Sequence, residues 1–255
     1  VRVIAIANQK GGTGKTTTAV NLAAALAETG RRVLLLDLDP QGSASKWYGF
    51  HSGGEELAAV IAGKLPITAA IHETAVPGVS VVPSSPGLAR AEVDLSTMKA
   101  GADRALRRRL QVIAPGSFDY VLIDCAPSLS YLTVNALTTA GEVLIPVEAR
   151  VMAVAGLAQL LDTLQEIRDV GDHPIEVAGV LACRVDNRTR HARTVLSHLE
   201  ESYPGAVLRT QIRETIRLGE CPAAVSPITE YAPDSTGAAD YRDLAREIIE
   251  QETTT

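Results

Sequence analysis

Strand-type and helix-type hydrophobic patterns alternate along almost the whole chain. Apolar β-type runs fall at 3–7, 33–38, 79–82, 120–124, 143–147, 177–183 and 207–212. Stretches with helical spacing lie between and after them, at 16–28, 55–62, 88–113, 130–140, 153–169, 191–202 and 238–250. In the first of these helices Ala19, Leu22, Ala23, Leu26 and Ala27 form one stripe, and Gly30 ends it. The runs Val33-Leu34-Leu35-Leu36, Tyr120-Val121-Leu122-Ile123 and Val143-Leu144-Ile145 are wholly or almost wholly apolar, the mark of strands covered on both faces. Repeated β–α units predict an α/β fold, a mostly parallel twisted sheet with helices on both faces. Residues 40–56, with their Gly and Ser, read as a long surface loop, 1–250 as a single domain, and 251–255 as a frayed tail.

Composition narrows the class. The chain of 255 residues is 46% hydrophobic but only 4% aromatic, so its core is built from Ala, Val, Leu and Ile. Cys125, Cys183 and Cys221 are far apart and read as reduced structural thiols, and the five histidines show no metal spacing. A disulfide scaffold, a zinc site and an iron–sulfur site are therefore not expected. No secretory pattern precedes Val1 and no apolar run approaches the roughly 18 residues of a membrane span, so a cytoplasmic protein is expected. The acidic segment 247–252 argues against a basic amphipathic membrane anchor. A net charge of −6 weighs mildly against nucleic acid but leaves room for a local basic patch.

The chemistry is concentrated near the N-terminus. The run Lys10-Gly11-Gly12-Thr13-Gly14-Lys15-Thr16-Thr17 sits between the first strand and the first helix. Strand, glycine-rich loop and helix together hold a nucleoside triphosphate by its phosphates, because the curled backbone and the helix N-terminus both present N–H groups to an anion. Lys15 is expected to reach the β- and γ-phosphates and the Thr16 hydroxyl to ligate Mg²⁺. The strict P-loop pattern requires Gly where Gln9 stands. The loop is instead a variant with an additional cation, Lys10, free to point outward to phosphates held by another subunit.

Ligands of parallel α/β sheets sit at the carboxyl ends of strands, and three acids are placed there. Asp124 follows an apolar run in Ile123-Asp124-Cys125-Ala126-Pro127-Ser128, the arrangement that holds Mg²⁺ opposite the loop hydroxyl. Asp37 and Asp39, in Leu36-Asp37-Leu38-Asp39-Pro40-Gln41-Gly42, are read as facing different sides of a strand end. Asp37 is assigned to the metal shell and Asp39 to the attacking water. The chain has no Asn-Lys-x-Asp guanine-reading sequence, which favours ATP over GTP, and no Gly-x-Ser-x-Gly elbow.

These motifs resemble the ParA/Soj family of deviant-Walker ATPases, which also includes MinD, over nearly the whole chain. The segments Asn8–Thr18, Asp37–Gly42 and Ile123–Leu129 look like the family's three nucleotide motifs, and Ile216-Arg217-Leu218-Gly219-Glu220 resembles a late segment bearing a DNA-contacting arginine. The resemblance implies an ATPase with Mg²⁺, in which Lys10 crosses to a partner's phosphates in an ATP-bound homodimer and Asp39 is the catalytic acid. It further implies non-specific DNA binding, stimulation by a ParB-like partner, association with the nucleoid, and partition of a chromosome or plasmid. Arg188, in Asp186-Asn187-Arg188-Thr189, resembles a second DNA-contact segment. The chain departs from the family where Ile212-Arg213-Glu214-Thr215 replaces Ile-Pro-Arg-Asn, so that Arg213 and Thr215 stand where the family cradles adenine.

Arginines supply local support for a polyanion. Arg184, Arg188, Arg190, His191 and Arg193 lie within ten residues, and Arg209, Arg213 and Arg217 recur every four. Arg107-Arg108-Arg109 reads as the exposed side of a helix, and Trp47 and Tyr48 as packing. The alternatives are an ATPase that positions a protein cargo on the nucleoid, a MinD-like membrane switch, and a metabolic enzyme on the same scaffold. The acidic tail disfavours the switch.

Overall fold

The computed structural model describes residues 1–51, 56–98, 101–149, 153–170 and 174–252. Along the chain run β1 (Arg2–Ile6), α1 (Lys15–Glu28), β2 (Val33–Leu38), α2 (Ser43–Trp47), α3 (Glu56–Ile61), β3 (His72–Glu73), β4 (Val79–Val82), α4 (Gly87–Ser96), α5 (Ala105–Leu110) and β5 (Tyr120–Cys125). There follow α6 (Tyr131–Ala140), β6 (Glu142–Glu148), α7 (Ala153–Val170), β7 (Glu176–Val185), α8 (Arg190–Ser202), β8 (Val207–Arg213), α9 (Ile216–Ala224), α10 (Ile228–Tyr231) and α11 (Thr236–Gln251). Among the described residues the strands form one eight-stranded sheet in the order β3-β4-β2-β5-β1-β6-β7-β8, parallel except for the β3–β4 pair.

The central strands feed two hydrophobic layers because successive side chains leave opposite faces. In β2, Leu34 and Leu36 join Leu57, Leu88, Leu106, Leu137 and Leu164 on one face. Val33 and Leu35 join Leu22, Leu26, Trp47, Ile228 and Leu244 on the other. This two-sided burial is why the apolar runs of the sequence lack polar alternation.

Several elements differ from the sequence pattern. The stretch 88–113 is not one helix: α4 ends at Ser96, and Gly101, in the left-handed region at φ 72°, opens a 3-10 turn at 102–104 that leads into α5. The expected loop 40–56 contains α2, whose Ala44, Ser45 and Trp47 are buried, while 52–55 fall outside the described residues. The helices α9 and α10 carry too few apolar positions to announce themselves, and α9 holds Pro222 inside and an exposed Ile216 at its start. The tail is docked further than expected. Arg2 donates to the Ile248 carbonyl at 2.5 Å and to Gln251 Oε1 at 2.7 Å, and Arg31 pairs with Glu252 at 3.1 Å. Residues 253–255 lie outside the described residues.

The β8 edge is closed chemically rather than by another strand. Glu247 of α11 accepts the backbone N–H groups of Arg209 and Thr210 at 2.8 and 2.9 Å, and Asp240 accepts that of Arg213 at 2.9 Å. Carboxylates of a covering helix thus occupy donors that an added strand would seek.

Candidate functional site

The register of the central strands assembles the site. In the parallel pairing Asp124 stands opposite Ile6 of β1 on one side and opposite Asp37 of β2 on the other. The glycine-rich loop therefore leaves β1 at the level of two carboxylates. Asn8 anchors its start, its amide donating to the Pro146 carbonyl at 2.7 Å and its Oδ1 accepting the Lys10 N–H at 3.0 Å. Gly12 and Gly14 take φ values of 77° and 96°, which a side chain would strain, and Gly14 caps α1. The loop, its glycines and the N-terminus of a 14-residue helix form an anion-binding concavity.

Lys15 is the first residue of α1 and is buried, with its Nζ donating to the Lys10 carbonyl at 3.1 Å. Burial lowers its pKa, opposed by the charges of Asp124, Cys125 and Asp39. Lys10 is half-exposed and lies 4.0 Å from Glu148, whose other oxygen is 3.3 Å from Arg184. The two lysines thus have different environments: one reaches into the loop, the other stands outside it.

The three carboxylates are also distinct. Asp124 is fully buried, and neither of its oxygens has a hydrogen-bond partner. Burial and the neighbouring charge of Asp37 raise its pKa well above the usual carboxylate range, against the nearby Thr16 hydroxyl and Lys15. A buried carboxylate without donors is what a divalent cation or its water shell would satisfy, and the Thr16 hydroxyl lies on the same side. Asp37 is also fully buried, but both its oxygens are engaged, by the N–H of Asp39 at 3.3 Å and by Ser45 N–H and Oγ at 2.7 and 2.6 Å. Burial pushes its pKa up to about 6. Asp39 lies one residue beyond β2, lines the cavity, and accepts the Gln41 N–H at 2.9 Å. The expectation that Asp37 and Asp39 face different sides fails on strand geometry. Residues two apart share a face, and both charges act on Asp124.

A cavity of about 420 Å³ runs from this loop to the ends of β7 and β8. Gly11, Gly12, Gly14, Lys15, Thr16 and Thr17 line one end with Asp39, and Ile212, Leu218 and Tyr241 line the other with Arg213 and Thr215. Thr13 is buried beneath the loop, its hydroxyl 3.4 Å from the Lys10 carbonyl. The polar ends of Arg213 and Thr215 are committed elsewhere. The Arg213 guanidinium pairs with Asp240 at 2.5 Å, and the Thr215 hydroxyl accepts the Arg217 N–H as the N-cap of α9. Sequence reasoning missed Cys183, Glu214 and Tyr241 as lining residues and placed Arg184 only in the arginine cluster. Arg184 enters through an unusual backbone, φ 54°, and pairs with Glu214 at 3.2 Å. No local motif marks such a position.

Arg188 and Arg217 come together on the rim of one surface depression, with Ile216, 81% exposed, beside them. Each guanidinium is ion-paired, Arg188 with Asp186 at 2.9 Å and Arg217 with Glu220 at 3.0 Å. The regular spacing of Arg209, Arg213 and Arg217 does not make a stripe: two lie on β8 against acids of α11 and one on α9.

Comparison with known proteins decides the family. A family model described as an AAA domain matches residues 1–177. Chromosome-partitioning ATPase Soj of Thermus thermophilus is 43% identical over 98% of this chain and 96% of its own length. Sporulation initiation inhibitor protein Soj of Bacillus subtilis is 39% identical over 97% of this chain and 98% of its own. The chain belongs to the ParA/Soj family of deviant-Walker P-loop ATPases. Its fold agrees: MinD of Pyrococcus furiosus, a cell-division ATPase 25% identical, superposes with a TM-score of 0.81 over 98% of this chain and 99% of its own. A protein described as cobyrinic acid a,c-diamide synthase from Mycobacterium smegmatis, with bound ATP analogue and magnesium, is 36% identical. It has a TM-score of 0.86, over 99% of this chain and 96% of its own. As an ATPase of the ParA/Soj family, the chain carries both lysines of the variant loop. Among the described residues no helix is long and apolar enough to cross a membrane.

Proposed function

We propose that residues 1–250 act as one domain that hydrolyses ATP with Mg²⁺ and couples the cycle to DNA partition. The observation that carries this is the unpartnered, buried Asp124 carboxylate beside Lys15 and Thr16 at the mouth of the loop. The Thermus thermophilus relative, named as a chromosome-partitioning ATPase, supports the coupling.

The loop amides of 11–17 and the Lys15 ammonium bind the phosphates and offset their charge. The Thr16 hydroxyl and Asp124 would hold Mg²⁺, with Asp37 behind them, and the metal would supply charge neutralisation at the β- and γ-phosphates. Asp39 orients water for attack on the γ-phosphorus. Positioning and charge suffice for phosphoryl transfer, so a carboxylate that orients water meets the need. Lys10, held outside the loop near Glu148, is available to a second copy's nucleotide, and this supports an ATP-bound homodimer. The base and ribose occupy the end of the cavity lined by Ile212, Arg213, Thr215 and Leu218. Arg188 and Arg217 would exchange their acidic partners for DNA phosphates, a sequence-independent contact doubled in a dimer. A ParB-like protein would stimulate turnover. The protein would work in the cytoplasm on the nucleoid, with a chromosome, a plasmid or a protein cargo as its load.

Sedimentation velocity with ATP and with ADP, each with and without random-sequence duplex, tests the reading. The expected result is a dimer with ATP alone, and DNA co-sedimentation only in that state. A monomer with ATP that ignores DNA refutes it. The diamide-synthase name of one structural relative favours a second reading, ATP-dependent amide formation on a small acid. That reading requires turnover that depends on an added carboxylate substrate and is indifferent to DNA.

A further inference from the structure

The polypeptide on both sides of Asp39 is fixed by two buried hydroxyls that belong to no nucleotide motif. Ser45 is the third residue of α2, and Ser84 follows β4 by two residues; they are 2% and 4% exposed. The Ser45 hydroxyl donates to Asp37 Oδ2 at 2.6 Å and accepts the Ser84 N–H at 2.8 Å. The Ser84 hydroxyl donates in turn to the Asp39 carbonyl, which also accepts the Gly42 N–H at 2.9 Å. The Asp39 N–H donates to Asp37 Oδ1 at 3.3 Å. Asp37, Ser45, Ser84 and Asp39 therefore close a ring through three separate segments. Only a hydroxyl donates and accepts at once in the way Ser45 does, so no apolar side chain replaces it.

We infer that Ser45 and Ser84 are positioning residues for hydrolysis, clamping the peptide groups before and after Asp39 so that its carboxylate is aimed into the nucleotide cavity. The inference rests on the assignment of Asp39 to the attacking water. Neither serine lines the cavity, so neither touches ATP directly. Loss of either bond frees the Asp39 backbone to shift while the glycine-rich loop stays intact. A small misplacement of a water-orienting group slows the chemical step without weakening substrate binding.

The test uses the full chain and the variants Ser45→Ala, Ser84→Ala, Ser45→Thr, Ser84→Thr and Asp39→Ala. Steady-state ATPase assays are paired with titration of a non-hydrolysable fluorescent ATP analogue, and melting curves identify the folded variants. Each alanine substitution is expected to lower kcat about tenfold or more while analogue affinity stays within about threefold. Each threonine substitution, which keeps a hydroxyl, is expected to recover turnover. The inference is overturned if both alanine variants keep kcat within about twofold while Asp39→Ala abolishes it, or if kcat and affinity fall together. Turnover that survives Asp39→Ala overturns the underlying assignment instead. If Ser45→Ala does not fold, Ser84→Ala decides alone, because it removes one bond and leaves the Asp37 carboxylate untouched.

Discussion

Lys15 and Asp124 show how single residues at this site trade stability for chemistry. Lys15 is a buried cation whose ammonium donates to its own loop, at the Lys10 carbonyl. A triphosphate replaces that bond with charge-assisted ones, so Lys15→Ala should abolish ATP binding, as read by equilibrium dialysis or fluorescent-analogue titration. Asp124 is fully buried beside the Asp37 carboxylate, and its raised pKa fixes the sign of a pH effect. A carboxyl protonated more readily in the folded than in the unfolded chain adds stability at low pH, and the contribution is lost as pH rises through the folded value. Asp37 behaves alike, its contribution declining from the ordinary carboxylate range up to about pH 6. The nucleotide-free protein should therefore melt earlier at pH 7 than at pH 5 by these groups' share, and Mg²⁺ with nucleotide should restore more at pH 7. Asp124→Asn removes the unpaired charge. It should raise the nucleotide-free melting temperature at pH 7, by roughly 2–4 °C per kcal/mol gained, flatten its pH dependence and abolish Mg²⁺-dependent turnover.

At the level of elements, what was legible in the sequence is what is local. The glycine-rich loop, the strand ends bearing Asp37 and Asp124, and the stripe of α1 each lie within one segment, and each was readable. The pairing of Asp37 with Asp124 follows from the parallel register of β2 and β5, which the sequence alone does not state. The Arg213–Asp240 pair, the Ser45–Ser84 bond and the cover of β8 by α11 join residues 27 to 39 positions apart and carry no periodicity. Short elements were hidden for a related reason. The helix α2 has five residues and depends on Asp37, which receives the Ser45 N–H, and on the Trp47 indole, which donates to the Ser226 carbonyl at 2.8 Å. Its existence is tertiary rather than intrinsic. Caps, by contrast, are local and testable. Ser235 accepts the Ala238 N–H at the start of α11. Ser235→Ala should cost about 1 kcal/mol in chemical denaturation, with ATP affinity unchanged.

Over the whole molecule the charge balance opposes DNA. A net charge of −6 repels a polyanion, and the arginines Arg209 and Arg213 at the β8–α11 face are paired with acids. The proposed DNA binding would therefore fall to arginines that exchange a surface acid for phosphate, and Arg188 and Arg217, paired with Asp186 and Glu220, line one depression. Arg188→Ala or Arg217→Ala should each weaken duplex binding and make log K fall less steeply with log salt, by about 0.9 for each phosphate left unneutralised. ATP-driven dimerisation should persist in both. A filter-binding salt titration reads the first effect and sedimentation the second. Loss of dimerisation as well would assign the arginine to folding.

The outermost rung-bearing side of the sheet is already sealed when the chain folds, because Glu247 and Asp240 sit where a neighbour's carbonyls would dock. At this margin a second copy cannot simply add its own strand, the lateral growth by which exposed β edges build fibres. The seal is also acid-labile. Burial opposes the negative charge on Glu247, yet the amides of Arg209 and Thr210 outweigh it and hold the carboxyl below its ordinary value. That grip is complete at neutrality and loosens as protons titrate the group, so acidification, not heat alone, is what would lay the margin bare to clumping.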